Sequence, residues 1–209
     1  MTKHYLEQLV NHYPELDSCI HDVEKAYETI KASYENNGKL LLAGNGGSAA
    51  DCEHIVGELM KGFVSSRKLP EEELERLNEA GDDGSIGMHL QGALPAISLV
   101  SHSALMTAFS NDVAPELVFA QQVYGYGKEN DIFLGISTSG NSKNIIQAAI
   151  VAKAKGLKTI CLTGKSGGQL KDICDVTIQV PYEETYRIQE RHLPVYHTLC
   201  LMLEEEFFG

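Results

Sequence analysis

Hydrophobic residues recur at intervals of three and four along the first part of the chain, from Leu6 to Ile30. This spacing is typical of amphipathic helices. Pro14 interrupts the pattern, and Asn36-Asn37-Gly38 ends it with residues that tolerate a left-handed backbone. We therefore predict one or two helices in an N-terminal segment of about residues 3–36.

Short apolar runs, separated by helical stretches, follow this segment. Alternation of this kind is typical of βαβ units, in which parallel strands are buried on both faces. The pattern therefore predicts an α/β fold built around a parallel sheet. The runs cover residues 40–43, 96–100, 132–136, 159–162 and 176–180.

Three of these runs end in turns of small polar residues, at 44–48, 137–142 and 163–168. In parallel sheets, ligands bind at the carboxyl ends of the strands, which makes these turns the first candidate sites. Serine- and glycine-rich turns offer N–H and hydroxyl donors, and the following helix N-terminus favours an anion. Alone, STSGNS at 137–142 is equally compatible with a helix cap, but together with GNGGS it favours a phosphate site.

The turns at 163–168 and 44–48 both lack the sequence of a nucleotide-binding loop. Gly164-Lys165-Ser166 lacks the glycine that a P-loop has five residues earlier, where Thr159 stands. GNGGS does not continue as GxGxxG, because Ala49 occupies the sixth position. ATP and NAD are therefore disfavoured as ligands.

Composition narrows the function classes further. The 209 residues are 43% hydrophobic, which fits a single domain over residues 1–209. With 29 acidic against 17 basic residues and no basic run, nucleic-acid binding is disfavoured. No stretch approaches the roughly 20 apolar residues of a membrane span, and the N-terminus lacks a secretory pattern, so we expect a cytoplasmic protein.

His54 and Glu58 lie four residues apart on the helix predicted after GNGGS, so they share one face. They can be metal ligands or an acid–base pair, and the alternative is a solvated pair without a function. On the C-terminal helix, spacing alone places Glu190 rather than Gln189 on the face of His197. Pro194 lies within this helical pattern and is expected to kink the helix or to begin a new one.

Residues 65–91 form a segment rich in charge and glycine, with a short helical pattern from about Glu71 to Ala80. We interpret this segment, called the excursion below, as a surface insertion or lid rather than a second domain.

Three stretches, GNGGSAADCEHIVGEL, GISTSGNSKNIIQAA and RIQERHLPVYH, resemble in order and spacing the motifs of the phosphoheptose (sedoheptulose 7-phosphate) isomerases. These belong to the sugar isomerase (SIS) domain superfamily. The resemblance covers nearly the whole chain except the excursion. It implies a flavodoxin-like three-layer α/β sandwich, a homotetramer packed through its N-terminal helices, and active sites shared between subunits.

The resemblance also implies roles for individual residues. Glu58 and His197 match the catalytic base and acid, and one Zn²⁺ per subunit is expected at His54, Glu58, Gln189 and His197. The family thus selects Gln189, also a substrate contact, where spacing favours Glu190. The other substrate contacts that it implies are Asn45, Gly46, Gly47, Ser101 and His102, with a phosphate site at Ser137, Thr138, Ser139 and Ser142.

The implied reaction converts D-sedoheptulose 7-phosphate to D-glycero-D-manno-heptose 7-phosphate through an enediol, for surface polysaccharide biosynthesis. His102 replaces an aspartate that the family commonly has, and this replacement, with the excursion, raises the alternative of another sugar phosphate. A further alternative is a non-catalytic sugar-phosphate sensor or a replication-initiator-associating scaffold. Because Glu58 and His197 are both present, the sequence favours an enzyme.

Overall fold

The N-terminal segment forms two helices in the computed structural model, which describes residues 2–209. Helix α1 covers Lys3–His12 and helix α2 covers Ile20–Glu35. A 3₁₀ helix, Pro14–Cys19, joins them and has its proline in the first turn, where a missing N–H costs no hydrogen bond. The chain thus changes direction at Pro14, where the periodicity is interrupted.

Five parallel strands form the central sheet. They are β1 (Leu40–Gly44), β2 (Ala96–Ser98), β3 (Ile132–Ile136), β4 (Lys158–Thr163) and β5 (Val176–Gln179). Their order, β2-β1-β3-β4-β5, is the flavodoxin-like one, which confirms the predicted fold class. The carboxyl ends of the three central strands are in register, since Gly44 pairs with Ile136 and Ile136 pairs with Leu162.

Helices cover both faces of the sheet. The remaining ones are α3 (Gly47–Met60), α4 (Glu71–Glu79), α5 (Ser103–Asp112), α6 (Val118–Tyr126), α7 (Lys143–Ala154), α8 (Leu170–Ile173) and α9 (Thr185–Phe208), with a 3₁₀ turn at Pro115–Leu117. Strand residues alternate between the two faces. Leu42 packs with α1, α2, α3 and α9, whereas Leu41 and Phe133 pack with α6, α7 and α8 on the opposite face. The result is a three-layer sandwich with one apolar core on each side of the sheet.

The excursion contains α4 and returns to the body of the protein through an antiparallel bridge between Lys68 and Gln91. Asp82 organises its glycine-rich turn, because the carboxylate accepts the backbone N–H groups of Ile86 at 2.9 Å and Gly87 at 2.8 Å. These bonds lower the pKa of Asp82. The turn that the sequence marks as glycine-rich is therefore a defined loop.

At the start of the excursion, Arg67 is buried between α3 and α9. Its guanidinium donates to Glu204 Oε1 at 2.7 Å and to the backbone carbonyls of Leu59 at 2.6 Å and Glu58 at 2.9 Å. The Glu204 carboxylate also accepts N–H groups from residues 63–65. This ion pair therefore ties the end of α3 to α9.

Helix α9 continues through Pro194, so the expectation that a new helix begins there is wrong. Proline removes the N–H that would bond the carbonyl of Glu190. Glu190 is exposed, so water can satisfy that carbonyl, and Pro194 O still accepts the Thr198 hydroxyl at 2.9 Å. Packing of Val195, Leu199 and Leu203 against the sheet face provides the stabilisation that keeps the helix intact.

Candidate functional site

The loop at residues 137–142 follows β3 and leads into α7. Ser137 is buried, and its Oγ lies 2.9 Å from Ser142 Oγ. Gly140 adopts a φ of +65°, and a Cβ at that position would collide with the carbonyl of Gly167. Glycine is therefore required where this loop meets the loop that follows β4.

These two loops and the start of α9 enclose a cleft of about 540 Å³. Asn141 links its walls, because its N–H bonds Ser139 Oγ at 3.1 Å and its Oδ1 accepts the Gln169 N–H at 3.0 Å. Lys165 brings a positive charge, with Nζ 3.4 Å from Glu183 Oε1. Hydroxyls, N–H groups and one ammonium suit a phosphate, and we name this cavity the phosphate cleft. Its lining is Thr138, Ser139, Asn141, Gly164, Lys165, Ser166, Tyr182, Glu183 and Ile188.

The loop after β1 lies beside the start of α7. The amides of Asn45 and Asn144 exchange two hydrogen bonds, at 3.0 and 2.9 Å. Gly46 has a φ of +57° and precedes the first residue of α3. A Cβ on Gly47 would lie 2.6 Å from Gln189 Nε2, so glycine permits the close approach of α9.

Spacing alone favoured Glu190 over Gln189, and the structure gives the two residues different surroundings. Gln189 lies against the loop after β1, whereas Glu190 is exposed, 3.8 Å from Arg191 NH1. The two residues are neighbours on α9 and therefore point in different directions. The packing of Ile188 in the core fixes the rotation of the helix about its axis. Gln189 is the one that faces α3.

His54, Glu58 and His197 lie together where α3 packs beside α9, and we call them the His54 cluster. His54 Nε2 is 3.1 Å from Glu58 Oε1, and the other Glu58 oxygen accepts from Lys61 Nζ at 3.2 Å. The rings of His54 and His197 stand nearly perpendicular, with centroids 5.0 Å apart. Two histidines and a carboxylate predicted from separate motifs thus share one site.

The surroundings of His197 favour its neutral form. Burial lowers the pKa of His197, the nearby His54 lowers it further, and Glu58 opposes this shift. Its Nε2 is buried, with no hydrogen-bond partner among residues 2–209. A neutral imidazole with an unpaired nitrogen can exchange a proton or bind a metal ion.

The donor set of the His54 cluster is of the kind that zinc prefers. Ligand atoms about 2.05 Å from a tetrahedral ion lie about 3.3 Å apart, close to the 3.1 Å between His54 Nε2 and Glu58 Oε1. Gln189 lies eight residues before His197, about 12 Å along the axis of α9. In the described part of the chain, no group of three or more His, Cys, Asp or Glu residues is already arranged to hold a metal ion.

Ser101 and His102 lie at the end of β2, apart from the phosphate cleft. Ser101 Oγ donates to Glu53 Oε1 at 2.7 Å, and Glu53 is the residue before His54 on α3. His102 precedes α5, its ring lies 5.5 Å from that of Tyr126, and its Nε2 is buried without a hydrogen-bond partner in residues 2–209. Ser101 therefore contacts α3 beside the His54 cluster, whereas His102 lies against α6.

The structure adds residues to the site that the sequence did not single out. Lys165 and Ser166 line the phosphate cleft, and Asn144 pairs with Asn45. The signal for Lys165 was its place in the third polar turn. No sequence pattern indicates Tyr182, because it follows β5 outside the polar turns and lines the cleft only once the chain is folded.

Two SIS domain profiles match the chain, at residues 4–92 and 96–203. The phosphoheptose isomerase of a Nitratiruptor species is 37% identical over 99% of this chain and 100% of its own length. That of Sulfurimonas denitrificans is 38% identical over 93% of this chain and 88% of its own length. Sequence similarity therefore extends along the chain on both sides of the excursion.

A solved structure shows the same architecture. A phosphoheptose isomerase from Francisella tularensis superimposes with a TM-score of 0.77 and 31% identity, covering 97% of this chain and 96% of that one. The three-layer arrangement of strands and helices is therefore shared with a protein of detectable sequence similarity.

Proposed function

Since the chain belongs to the phosphoheptose isomerase family of SIS domain proteins, we propose that it converts D-sedoheptulose 7-phosphate to D-glycero-D-manno-heptose 7-phosphate. It is a phosphosugar isomerase, an enzyme that interconverts a ketose and an aldose. The observation that carries the substrate proposal is the pairing of a phosphate cleft with the His54 cluster along α9. We assign the reaction to surface polysaccharide biosynthesis.

The two parts of the site divide the work. The cleft lies at the N-terminal end of α9, where Ile188 forms part of its wall, and His197 of the His54 cluster lies about two and a half turns further along. Hydroxyl and N–H donors in the cleft hold the phosphate of the sugar. The far end of the sugar, which carries the carbonyl, is then directed toward the acid and the base.

Isomerisation needs one proton to move between adjacent carbons. Glu58 takes the proton from C1 of the ketose, and the electron pair forms an enediol as the C2 oxygen gains a proton. His197 exchanges protons with the two oxygens, and Glu58 returns a proton to C2 to give the aldose. The Glu58 side chain is 13% exposed; its Oε2 accepts from Lys61 Nζ, and its Oε1 lies 3.1 Å from His54 Nε2.

Zn²⁺ is part of this proposal, and its ligands would be His54, Glu58, Gln189 and His197. The nitrogen and oxygen donors of the His54 cluster support the choice, as does His197 Nε2, which has no hydrogen-bond partner among residues 2–209. When bound, the ion supplies a positive charge that polarises the sugar oxygens. Gln189 would have to extend from the Gly47 end of the helix pair to reach it.

We also propose that the protein works as a cytoplasmic homotetramer. No residue of α5 is buried within the single chain, and Leu105 in this helix and Val113 just after it are exposed, as expected of a surface that packs against another subunit. In residues 2–209, no helix has both the length and the apolar character needed to cross a membrane.

The test is conversion of D-sedoheptulose 7-phosphate by the purified protein, with the aldose product identified by chromatography and mass spectrometry. Glu58→Gln serves as the matched inactive control. A ketose phosphate of different length, such as fructose 6-phosphate, is assayed in parallel. Preference for the shorter sugar would overturn the substrate, and a folded protein that converts neither would overturn the enzymatic function.

A further inference from the structure

Two side chains that belong to no assigned role form a hydrogen-bonded chain with His54. Tyr196 Oη lies 3.0 Å from His54 Nδ1 and 3.2 Å from Asp51 Oδ1. Asp51 lies three residues before His54 on α3, and Tyr196 precedes His197 on α9. These hydrogen bonds therefore tie together α3 and α9, the two helices that carry the His54 cluster.

The chemistry of the carboxylate, the phenol and the imidazole determines which group donates and which accepts in each of these hydrogen bonds. An ionised carboxylate can only accept hydrogen bonds, so the Tyr196 hydroxyl donates its proton to Asp51. The phenol oxygen is left as an acceptor, so His54 Nδ1 must carry the proton that it accepts; in the neutral imidazole Nε2 then has the lone pair.

We propose that Asp51 and Tyr196 are positioning residues that hold His54 in its Nδ1–H form, with the Nε2 lone pair facing Glu58. This inference deepens the proposed function and rests on it. The lone pair and Glu58 Oε1 are 3.1 Å apart, and two acceptors at that distance repel each other unless a cation lies between them. The arrangement thus prepares His54 and Glu58 to bind one cation together.

Outer partners of this kind generally fix the orientation and tautomer of a metal-binding histidine. Here the fixing group is a phenol, itself oriented by a carboxylate. Tyr196 is 2% exposed, and its ring packs at right angles against His197, with centroids 5.0 Å apart. Phenylalanine at this position would retain that packing and lose only the hydroxyl.

The first test reads the tautomer directly, without zinc and without activity. The ¹⁵N imidazole signals of the metal-free protein are recorded at about pH 8.5, where ordinary imidazoles are neutral, and His54→Gln identifies the signal of His54. We expect the Nδ1–H form in the wild type and a shift toward the Nε2–H form in Tyr196→Phe.

Tyr27→Phe is the matched control, because Tyr27 is also a buried tyrosine whose hydroxyl donates to a carboxylate, Glu206 Oε2 at 2.8 Å. It lies on α2 and should leave the His54 signal unchanged. An Nε2–H form in the wild type, or an unchanged signal in Tyr196→Phe, would overturn the proposal.

The second test measures zinc affinity by competition with a chromophoric chelator. Tyr196→Phe and Asp51→Ala should each weaken binding by about 10- to 100-fold. Asp51→Asn should restore part of the loss, because its amide oxygen can still accept from Tyr196. Equal affinity in all variants would overturn the positioning role. A wild type that binds no zinc would refute the zinc proposal, and the tautomer spectrum alone would then decide the role of Tyr196.

Discussion

The phosphate cleft and the His54 cluster differ in how their polar groups are paired. In the cleft and the 137–142 loop that borders it, hydroxyls and amides bond one another, as in the bonds of Asn141 and the Ser137–Ser142 contact. In the His54 cluster, His197 Nε2 has no partner among the described residues, and in the tautomer proposed above two acceptor atoms, His54 Nε2 and Glu58 Oε1, face each other. The cleft is thus organised in advance for a fixed charge, whereas the cluster holds groups free to exchange protons. Binding and reaction should therefore respond to different substitutions.

The largest effect is expected in the His54 cluster. Glu58→Gln and His197→Ala should each lower kcat by about 10²- to 10⁴-fold, the usual contribution of a general acid or base. The KM should change little, because the phosphate cleft is untouched. Steady-state kinetics measure both, and circular dichroism checks the fold. Turnover like that of the wild type in either variant would refute the assigned role.

Arg67→Met tests the buried ion pair with Glu204, which ties together the two helices that carry the His54 cluster. This change leaves the Glu204 carboxylate buried without its cation and should lower the free energy of unfolding by about 3–5 kcal/mol. Arg76→Met is the control, because Arg76 is 63% exposed and pairs with Glu72 on the surface of α4. That variant should lose less than about 1 kcal/mol. Equal losses in urea unfolding would show that the buried pair does not tie α3 to α9.

His192 lies on α9 between the start of the cleft and His197, and its Nε2 lies 3.3 Å from the carbonyl of Thr163, just before the loop of the cleft. Burial lowers the pKa of His192 to about 4. The unfolded chain binds the proton at a higher pH than the folded chain, so stability is lost as pH falls from about 6.5 to about 4. The loss is on the order of 3 kcal/mol.

His192→Gln should flatten this part of the stability profile, measured by urea unfolding at a series of pH values. His21→Gln provides the comparison, because His21 is 89% exposed on α2 and should leave the slope unchanged. An unaltered slope in His192→Gln would mean that other groups govern acid sensitivity.

The smallest effect is expected at the edge of the phosphate cleft. Lys165→Met should raise the KM by up to about fivefold with kcat unchanged, because exposed charge pairs contribute less than about 1 kcal/mol. The KM of the wild type should also rise with salt more steeply than that of the variant. Lys155→Met, on a residue that bonds Tyr124 O away from the cleft, is the control. A fall in kcat instead would place Lys165 in the reaction.

The strands and the cleft loops could be predicted because their signals are local. The apolar runs of β1 and β3 are buried throughout, with successive residues in opposite cores, and the polar turns follow directly at the strand ends. The glycine at 140 likewise marks a local backbone requirement. The architecture and the first outline of the site therefore required no knowledge of distant contacts.

The cluster could be predicted only in part, because long-range packing decides its details. Spacing alone chose Glu190 over Gln189, since the register of α9 depends on which face packs against the sheet. Arg67 and Glu204 are separated by 137 positions, and no sequence pattern around either residue predicts that they form a buried ion pair. Tyr196 likewise becomes part of the site only where α9 meets α3.

Proton transfer by Glu58 between adjacent carbons is central to the proposed function, and isomerisation in D₂O tests it most directly. Lys61, beside the carboxylate, is 60% exposed, so the proton on Glu58 can exchange with solvent before it is returned. We predict one deuterium at C2 of the aldose made by the wild type and no labelled product from Glu58→Gln. Product without deuterium, or labelling that survives in Glu58→Gln, would contradict this role of Glu58.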